Sequence, residues 1–190
     1  VVVEEEEETM SEEDIARLTK EYNFSLASRQ DELVYVGSRP GNDKEAEKEG
    51  ATDPEKVKEW SRFMQAQGIT NIISLLGDDE VTWYQGDIEE TLRDLGWDVD
   101  NRYTRTSLYA PDALQKIRTA FSDVYNNKHK AIIHCTGGSG RAALIAALFL
   151  VEVYVYDYEE AVAEVTAVGE AAGMKRKQKL DQLQKFHLKG

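Results

Sequence analysis

Lys130-Ala131-Ile132-Ile133-His134-Cys135-Thr136-Gly137-Gly138-Ser139-Gly140-Arg141-Ala142-Ala143-Leu144-Ile145-Ala146-Ala147-Leu148-Phe149-Leu150-Val151 is the stretch on which the reading of this chain turns. Its first part, short, apolar and β-branched, has the length and composition of a buried strand. Three glycines within four residues then break the pattern. From Arg141 onward the sequence is apolar nearly all round, which fits a central buried helix better than a surface one. Strand, glycine loop and helix in direct succession make one α/β unit with its loop at the strand's C-terminal end.

The same alternation continues outward. Leu33-Val34-Tyr35-Val36-Gly37 reads as a strand followed by the turn Ser38-Arg39-Pro40-Gly41, and residues 42–53 as loop. Asp53-Pro54 has the chemistry of a helix start, and Val57, Trp60, Phe63 and Met64 recur at helical spacing up to Gly68. Thr70 to Leu76 reads as a buried strand ended by Gly77-Asp78-Asp79, residues 80–95 as helix, and Trp97 to Tyr103 as a third strand. Pro111 opens a helix with Leu114, Ile117, Phe121 and Val124 on one face, and further helices are expected over 157–168 and 174–187. The expected fold is α/β, a central, mostly parallel sheet flanked by helices. Residues 1–12, dominated by glutamate, read as a flexible acidic tail, and 13–190 as a single domain.

Without Cβ atoms at Gly137, Gly138 and Gly140, successive N–H groups of the loop can turn toward one centre. The helix beginning near Arg141 adds its positive dipole end, and a guanidinium there can bond two oxygens of a tetrahedral oxyanion. Thr136, Gly137, Gly138, Ser139, Gly140 and Arg141 therefore form a candidate phosphate cradle. Cys135 stands at its strand end, where the same groups favour a thiolate, so the anion site doubles as a candidate nucleophile site.

His134-Cys135, five residues and Arg141 resemble the Cys-x5-Arg signature of the protein tyrosine phosphatase superfamily, in the glycine-rich form of the dual-specificity phosphatases. Val34-Tyr35-Val36-Gly37-Ser38-Arg39-Pro40 and Gly68-Ile69-Thr70-Asn71-Ile72-Ile73-Ser74-Leu75 are similar to two core strands of the small dual-specificity domains, so the resemblance spans residues 30–170. It implies a phosphomonoester hydrolase working through a cysteinyl-phosphate, with Cys135 as nucleophile, Arg141 as phosphate clamp and His134 either orienting the loop or tuning the thiolate.

Two positions depart from that pattern. Where the family usually has a hydroxyl after the arginine, to help the thiolate leave in the second step, this chain has Ala142, which implies either a slow second step or partial substitution by Ser139 or Thr136. The family's general acid is an aspartate before the preceding helix, yet Asn101 to Tyr109 contains none. Ser107 stands near its place, and the alternatives are Asp112, Asp100, and no acid in this loop or one from elsewhere.

A net charge of −13, from 36 acidic and 23 basic residues, argues against nucleic acid and anionic membrane surfaces as partners. The basic group Lys175, Arg176, Lys177, Lys179 and Lys185 lies in a segment that reads as a solvated C-terminal helix. One cysteine suits a reducing compartment, no apolar run approaches the roughly 20 residues of a membrane span, and the acidic start lacks a signal peptide's basic region, so a cytoplasmic location is expected. No metal site is expected, since His129 and His187 have no second ligand at a recognisable spacing, and no cofactor is implied. Arg39 is either a structural turn residue or a neighbour of the site, and Tyr109 a candidate for the pocket mouth. The expected partner is a phosphorylated protein or small phosphomonoester. Two other classes compete: a phosphate-binding module without turnover, and a sulfur transferase or arsenate reductase, the latter needing resolving thiols that the chain lacks.

Overall fold

The computed structural model describes residues 9–189. In chain order the elements are α1 (Glu12–Glu21), β1 (Ser25–Leu26), β2 (Val34–Ser38), a 3-10 turn (Lys44–Ala46), α2 (Pro54–Ala66), β3 (Ile69–Ser74), α3 (Asp78–Val81), α4 (Ile88–Asp94), α5 (Val99–Arg102), β4 (Tyr103–Arg105), α6 (Ala113–Asn127), β5 (Lys130–Cys135), α7 (Arg141–Tyr154), α8 (Tyr158–Ala171) and α9 (Leu180–Lys189). The sheet runs β1-β2-β5-β3-β4, antiparallel only at the β1–β2 edge. This is the expected mixed, mostly parallel sheet between helices, with one small antiparallel edge strand that the sequence reading did not find.

Central β5 is apolar on both faces because it is covered on both. Ala131, Ile133 and Cys135 point into a cluster with α6, α7, α8 and α9, whereas Ile132 points into a second cluster with α1, α2, α4 and α5. Ala142 to Leu150 of α7 are all buried, the all-round apolar pattern made real. Each fully buried leucine, isoleucine or phenylalanine contributes about 1.5–3 kcal/mol of transfer free energy to such a core.

Four expectations need correction. Trp97 to Tyr103 is not a strand: Asp98 caps the short α5, and only Tyr103–Arg105 pairs with β3. Residues 80–95 are not one helix, since the chain leaves α3 after Val81 and re-enters a helix only at Ile88, under an Asp87 cap. The last helix starts at Leu180, not at 174. Residues 1–8 of the expected tail lie outside the described residues, but Ser11 accepts from the Asp14 N–H and opens α1 at Glu12, so that segment's end is helical.

Candidate active site

Because β2, β5, β3 and β4 are parallel, their C-terminal ends lie together, with Ser38 opposite Cys135 and Ser74 opposite His134. Ligands of open α/β sheets collect at this edge. The loop 135–141 leaves β5 there and is anchored by the Arg39 N–H donating to the Thr136 carbonyl at 3.1 Å. Gly138 is the position where glycine is obligatory: its φ is +82°, and a Cβ would stand 2.6 Å from the Gly37 carbonyl carbon. That close approach turns the Gly138 N–H onto the Cys135 Sγ at 3.3 Å. Among the described residues, the N–H groups of Gly137, Ser139 and Gly140 donate to no protein acceptor. Unsatisfied donors beside a thiol, at the N-terminus of a 14-residue helix, form a cradle for an oxyanion.

His134 is fully buried with its ring edge-on to Trp60, centroids 5.6 Å apart, and its Nδ1 lies 3.3 Å from the Cys135 carbonyl oxygen. Burial pushes its pKa down to about 4. A neutral imidazole lends the thiolate no charge, so of its two expected roles only orientation of the loop backbone fits.

Arg141 opens α7 but does not wait with free hands. Its Nη1 donates to Glu80 Oε1 at 2.6 Å and to the Leu75 carbonyl at 3.0 Å, and its Nη2 to Glu80 Oε2 at 2.7 Å and Thr136 Oγ1 at 2.9 Å. The Thr136 O–H donates to Glu80 Oε2 at 2.7 Å, and the Gly77 N–H donates to Oε1 at 3.0 Å. Burial disfavours the Glu80 carboxylate, but the hydrogen bonds from Arg141, Gly77 and Thr136 outweigh it and hold the pKa at about 2. Glu80 is therefore an anion pressed on the clamp, and it cannot serve as an acid. Sequence reasoning missed it by reading residue 80 as the start of a helix over 80–95 and assigning it no role at the site. The available signal was a carboxylate just past the end of a central parallel strand.

The structure places the other candidates as follows. Asp112 stands before α6 with its carboxylate 3.5 Å from the Lys116 Nζ, in a groove lined by Tyr103, Thr104, Arg105, Gln115 and Thr119 rather than by the loop. Asp100 pairs with Arg93 at 3.1 Å on α4. Neither is joined to Cys135. Ala142 is fully buried, and the two substitute hydroxyls are engaged elsewhere, Thr136 with Glu80 and Ser139 with the Asn23 side-chain N–H at 3.3 Å. Arg39, wholly buried, bonds Thr52 Oγ1 and the Pro40 carbonyl and lies 4.9 Å from the Trp83 ring centroid, so its side chain braces the turn. Tyr109 is 89% exposed on the loop after β4. His129 pairs with Asp123, and His187 with Glu152 and Tyr158.

The basic cluster is not a solvated helix. Residues 174–179 form no helix and lie beside the loop, with the Lys177 N–H donating to the Ser139 carbonyl at 2.6 Å and Arg176 buried, and of the cluster only Lys185 is on α9. Asn23 joins the two, donating to the Gly137 carbonyl at 3.0 Å and the Lys175 carbonyl at 3.2 Å. Its φ of +48° is one that asparagine tolerates, but nothing in the sequence around it signals a partner over a hundred residues away.

No family model matches the chain, and no curated protein does. Solved structures do match in fold. PTPMT1 superposes with a TM-score of 0.58 at 18% identity, over 85% of this chain and 93% of its own. The kinase-associated phosphatase, with its catalytic-site cysteine substituted by serine, gives 0.60 at 18% identity over 81% and 83%. The human tyrosine phosphatase-like serine/threonine/tyrosine-interacting protein gives 0.53 at 16% over 82% and 91%. The chain shares the fold of these phosphatase and phosphatase-like structures, a mostly parallel five-stranded sheet flanked by helices.

Proposed function

We propose that this chain is a cysteine-dependent phosphomonoester hydrolase of the protein-tyrosine or dual-specificity type. The observation that carries the reading is the position of the Cys135 Sγ, at the end of central β5 and under the Gly138 N–H, within a loop whose other N–H groups have no protein acceptor. Those donors hold three phosphoryl oxygens and leave the fourth, esterified oxygen in line with sulfur. The Sγ lone pair forms the S–P bond as the P–O bond to the leaving group breaks, and the leaving oxygen departs as an oxyanion that takes its proton from solvent water. Water then attacks phosphorus, the S–P bond breaks, and the thiolate returns with release of phosphate.

With Asp112 on Lys116 and Glu80 ionised, neither carboxylate is placed to protonate the leaving oxygen. Aryl phosphates, whose leaving groups need little protonation, are the substrates this site handles best. The acidic surface further favours a neutral or basic phosphoprotein over a polyanion.

A phosphate-binding module without turnover is the second reading, favoured by Ala142 and by the commitment of all four terminal N–H bonds of Arg141. Burst and steady-state release of nitrophenolate from p-nitrophenyl phosphate, with and without vanadate, separates the two. Vanadate-sensitive turnover abolished in Cys135→Ser supports the hydrolase. Vanadate binding with neither burst nor turnover supports the module.

A further inference from the structure

Two buried hydroxyls, Ser38 Oγ and Ser74 Oγ, have no hydrogen-bond partner among the described residues. Each is at most 1% exposed, and both stand at the C-terminal edge of the sheet, in register with Cys135 and His134 respectively. They lie on opposite faces. Val36 and Ile133, two residues before Ser38 and Cys135, pack in the cluster with α7, so alternation along the strands puts the Ser38 and Cys135 side chains on that same face. Ile72 and Ile132, two residues before Ser74 and His134, pack in the other cluster, and Ser74 lines a cavity there with His134, Tyr84 and Tyr103. Ser38 therefore carries the unpartnered hydroxyl on the side of the sulfur.

Backbone bonds hold it there. The Ser38 N–H donates to the Tyr22 carbonyl at 2.7 Å, its carbonyl accepts from Trp60 Nε1 at 3.1 Å, and the next N–H, of Arg39, donates to the Thr136 carbonyl at 3.1 Å. The loop closes over the same point: a Cβ on Gly138 would stand 3.0 Å from the Ser38 nitrogen, and the Gly138 N–H is the group that donates to Cys135 Sγ. Strands about 4.8 Å apart bring register partners on one face within reach of each other, and a serine moves its Oγ among three staggered positions by turning one bond. An unpaired hydroxyl in a core costs stability, and such groups are kept where function uses them.

When water attacks the cysteinyl-phosphate, the S–P bond breaks and its electron pair stays on sulfur, so negative charge grows on Sγ. Ala142 offers no hydroxyl there, the Thr136 O–H is given to Glu80, and Ser139 Oγ is held by Asn23. We propose that Ser38 is a further catalytic residue of this chain: its hydroxyl turns onto Sγ and donates a hydrogen bond to the departing thiolate, keeping its own proton. This rests on the hydrolase reading above. Ser38 supplies only part of what a hydroxyl at position 142 would give, so the second step is slow in the native chain and slower still without it.

The experiment is rapid mixing of the native chain, Ser38→Ala and Ser38→Thr with p-nitrophenyl phosphate, with urea unfolding of each. The native chain gives a burst and then a steady rate. In Ser38→Ala the burst persists at about one nitrophenolate per chain and the steady rate falls about tenfold, the size expected for one hydrogen bond to a charged group. Its urea midpoint does not fall, because the resting fold loses no bond. Ser38→Thr, which keeps the hydroxyl on a side chain suited to a strand, holds the native steady rate within about threefold. Equal steady rates in the native chain and Ser38→Ala, or an equal loss in a folded Ser38→Thr, would overturn the role of Ser38 and leave the hydrolase standing. A native chain with neither burst nor turnover would overturn both, so the two failures are told apart.

Discussion

Glu80 and Arg141 form a two-pronged ion pair, Oε1 to Nη1 at 2.6 Å and Oε2 to Nη2 at 2.7 Å, at the mouth of the phosphate cradle. The carboxylate presents two oxygens where a phosphate would present two of its own, so the clamp is filled by an intramolecular anion. A bound oxyanion must share or displace it.

Replacing Glu80 by glutamine removes a negative charge from beside an incoming dianion and loosens the hold on Arg141. At an effective dielectric constant near 20, one like charge about 4 Å away costs about 4 kcal/mol, from which the lost pairing with Arg141 subtracts, so vanadate should bind at least about tenfold more tightly to Glu80→Gln. Inhibition or calorimetric titration measures this. Weaker binding would mean that Glu80 holds the guanidinium in its working geometry instead.

His134 gives stability a definite pH dependence. Its folded pKa, near 4, lies below the ordinary value of 6.5, so below about pH 6.5 the unfolded chain binds a proton that the folded chain refuses. The native chain should lose stability from this group as pH falls from about 6.5 toward 4. His134→Gln lacks that term, so the gap between its urea midpoint and that of the native chain should narrow over the same range. A gap that stays constant would show that the imidazole titrates normally.

The Asp112 carboxylate, paired with Lys116, is not set to protonate a leaving group. Asp112→Asn should change p-nitrophenyl phosphate turnover by less than about twofold and leave the alkaline limb of its pH profile in place. A drop of about a hundredfold with loss of that limb would restore Asp112 as the acid.

Ala142 should make the second step slow, since neither the Thr136 nor the Ser139 hydroxyl is bonded to Sγ. Ala142→Ser adds one oxygen to a packed position. The expected result is a steady rate raised by about tenfold at unchanged burst amplitude, measured by rapid mixing. An equal rate in the two proteins would place the slow step elsewhere.

The residues of the loop, their order and the all-round apolar helix behind them could be read before any coordinates because each is a local pattern. A β-branched run, glycines that free the backbone and a cysteine and arginine at its two ends specify strand, turn and helix within a dozen residues. The parallel sheet followed from the same alternation repeated. Where neighbouring signals conflicted the reading slipped: Trp97 to Tyr103 has the aromatic content of a strand, yet Asp98 caps a helical turn and Trp97 goes to the core beside Trp60, its Nε1 donating to Ser61 Oγ at 3.0 Å.

Sequence by itself determined the class of fold and the candidate site loop with its cysteine and arginine, since these depend on residues adjacent along the chain. Tertiary structure alone decided the electrostatics of the site. Glu80 reaches Arg141 across 61 positions, Asn23 reaches Gly137 across 114, and Arg176 meets Ser25 across 151. Such pairings leave no periodic trace. They arise because parallel strands bring their ends together and because the surrounding core excludes the water that would otherwise screen each charge.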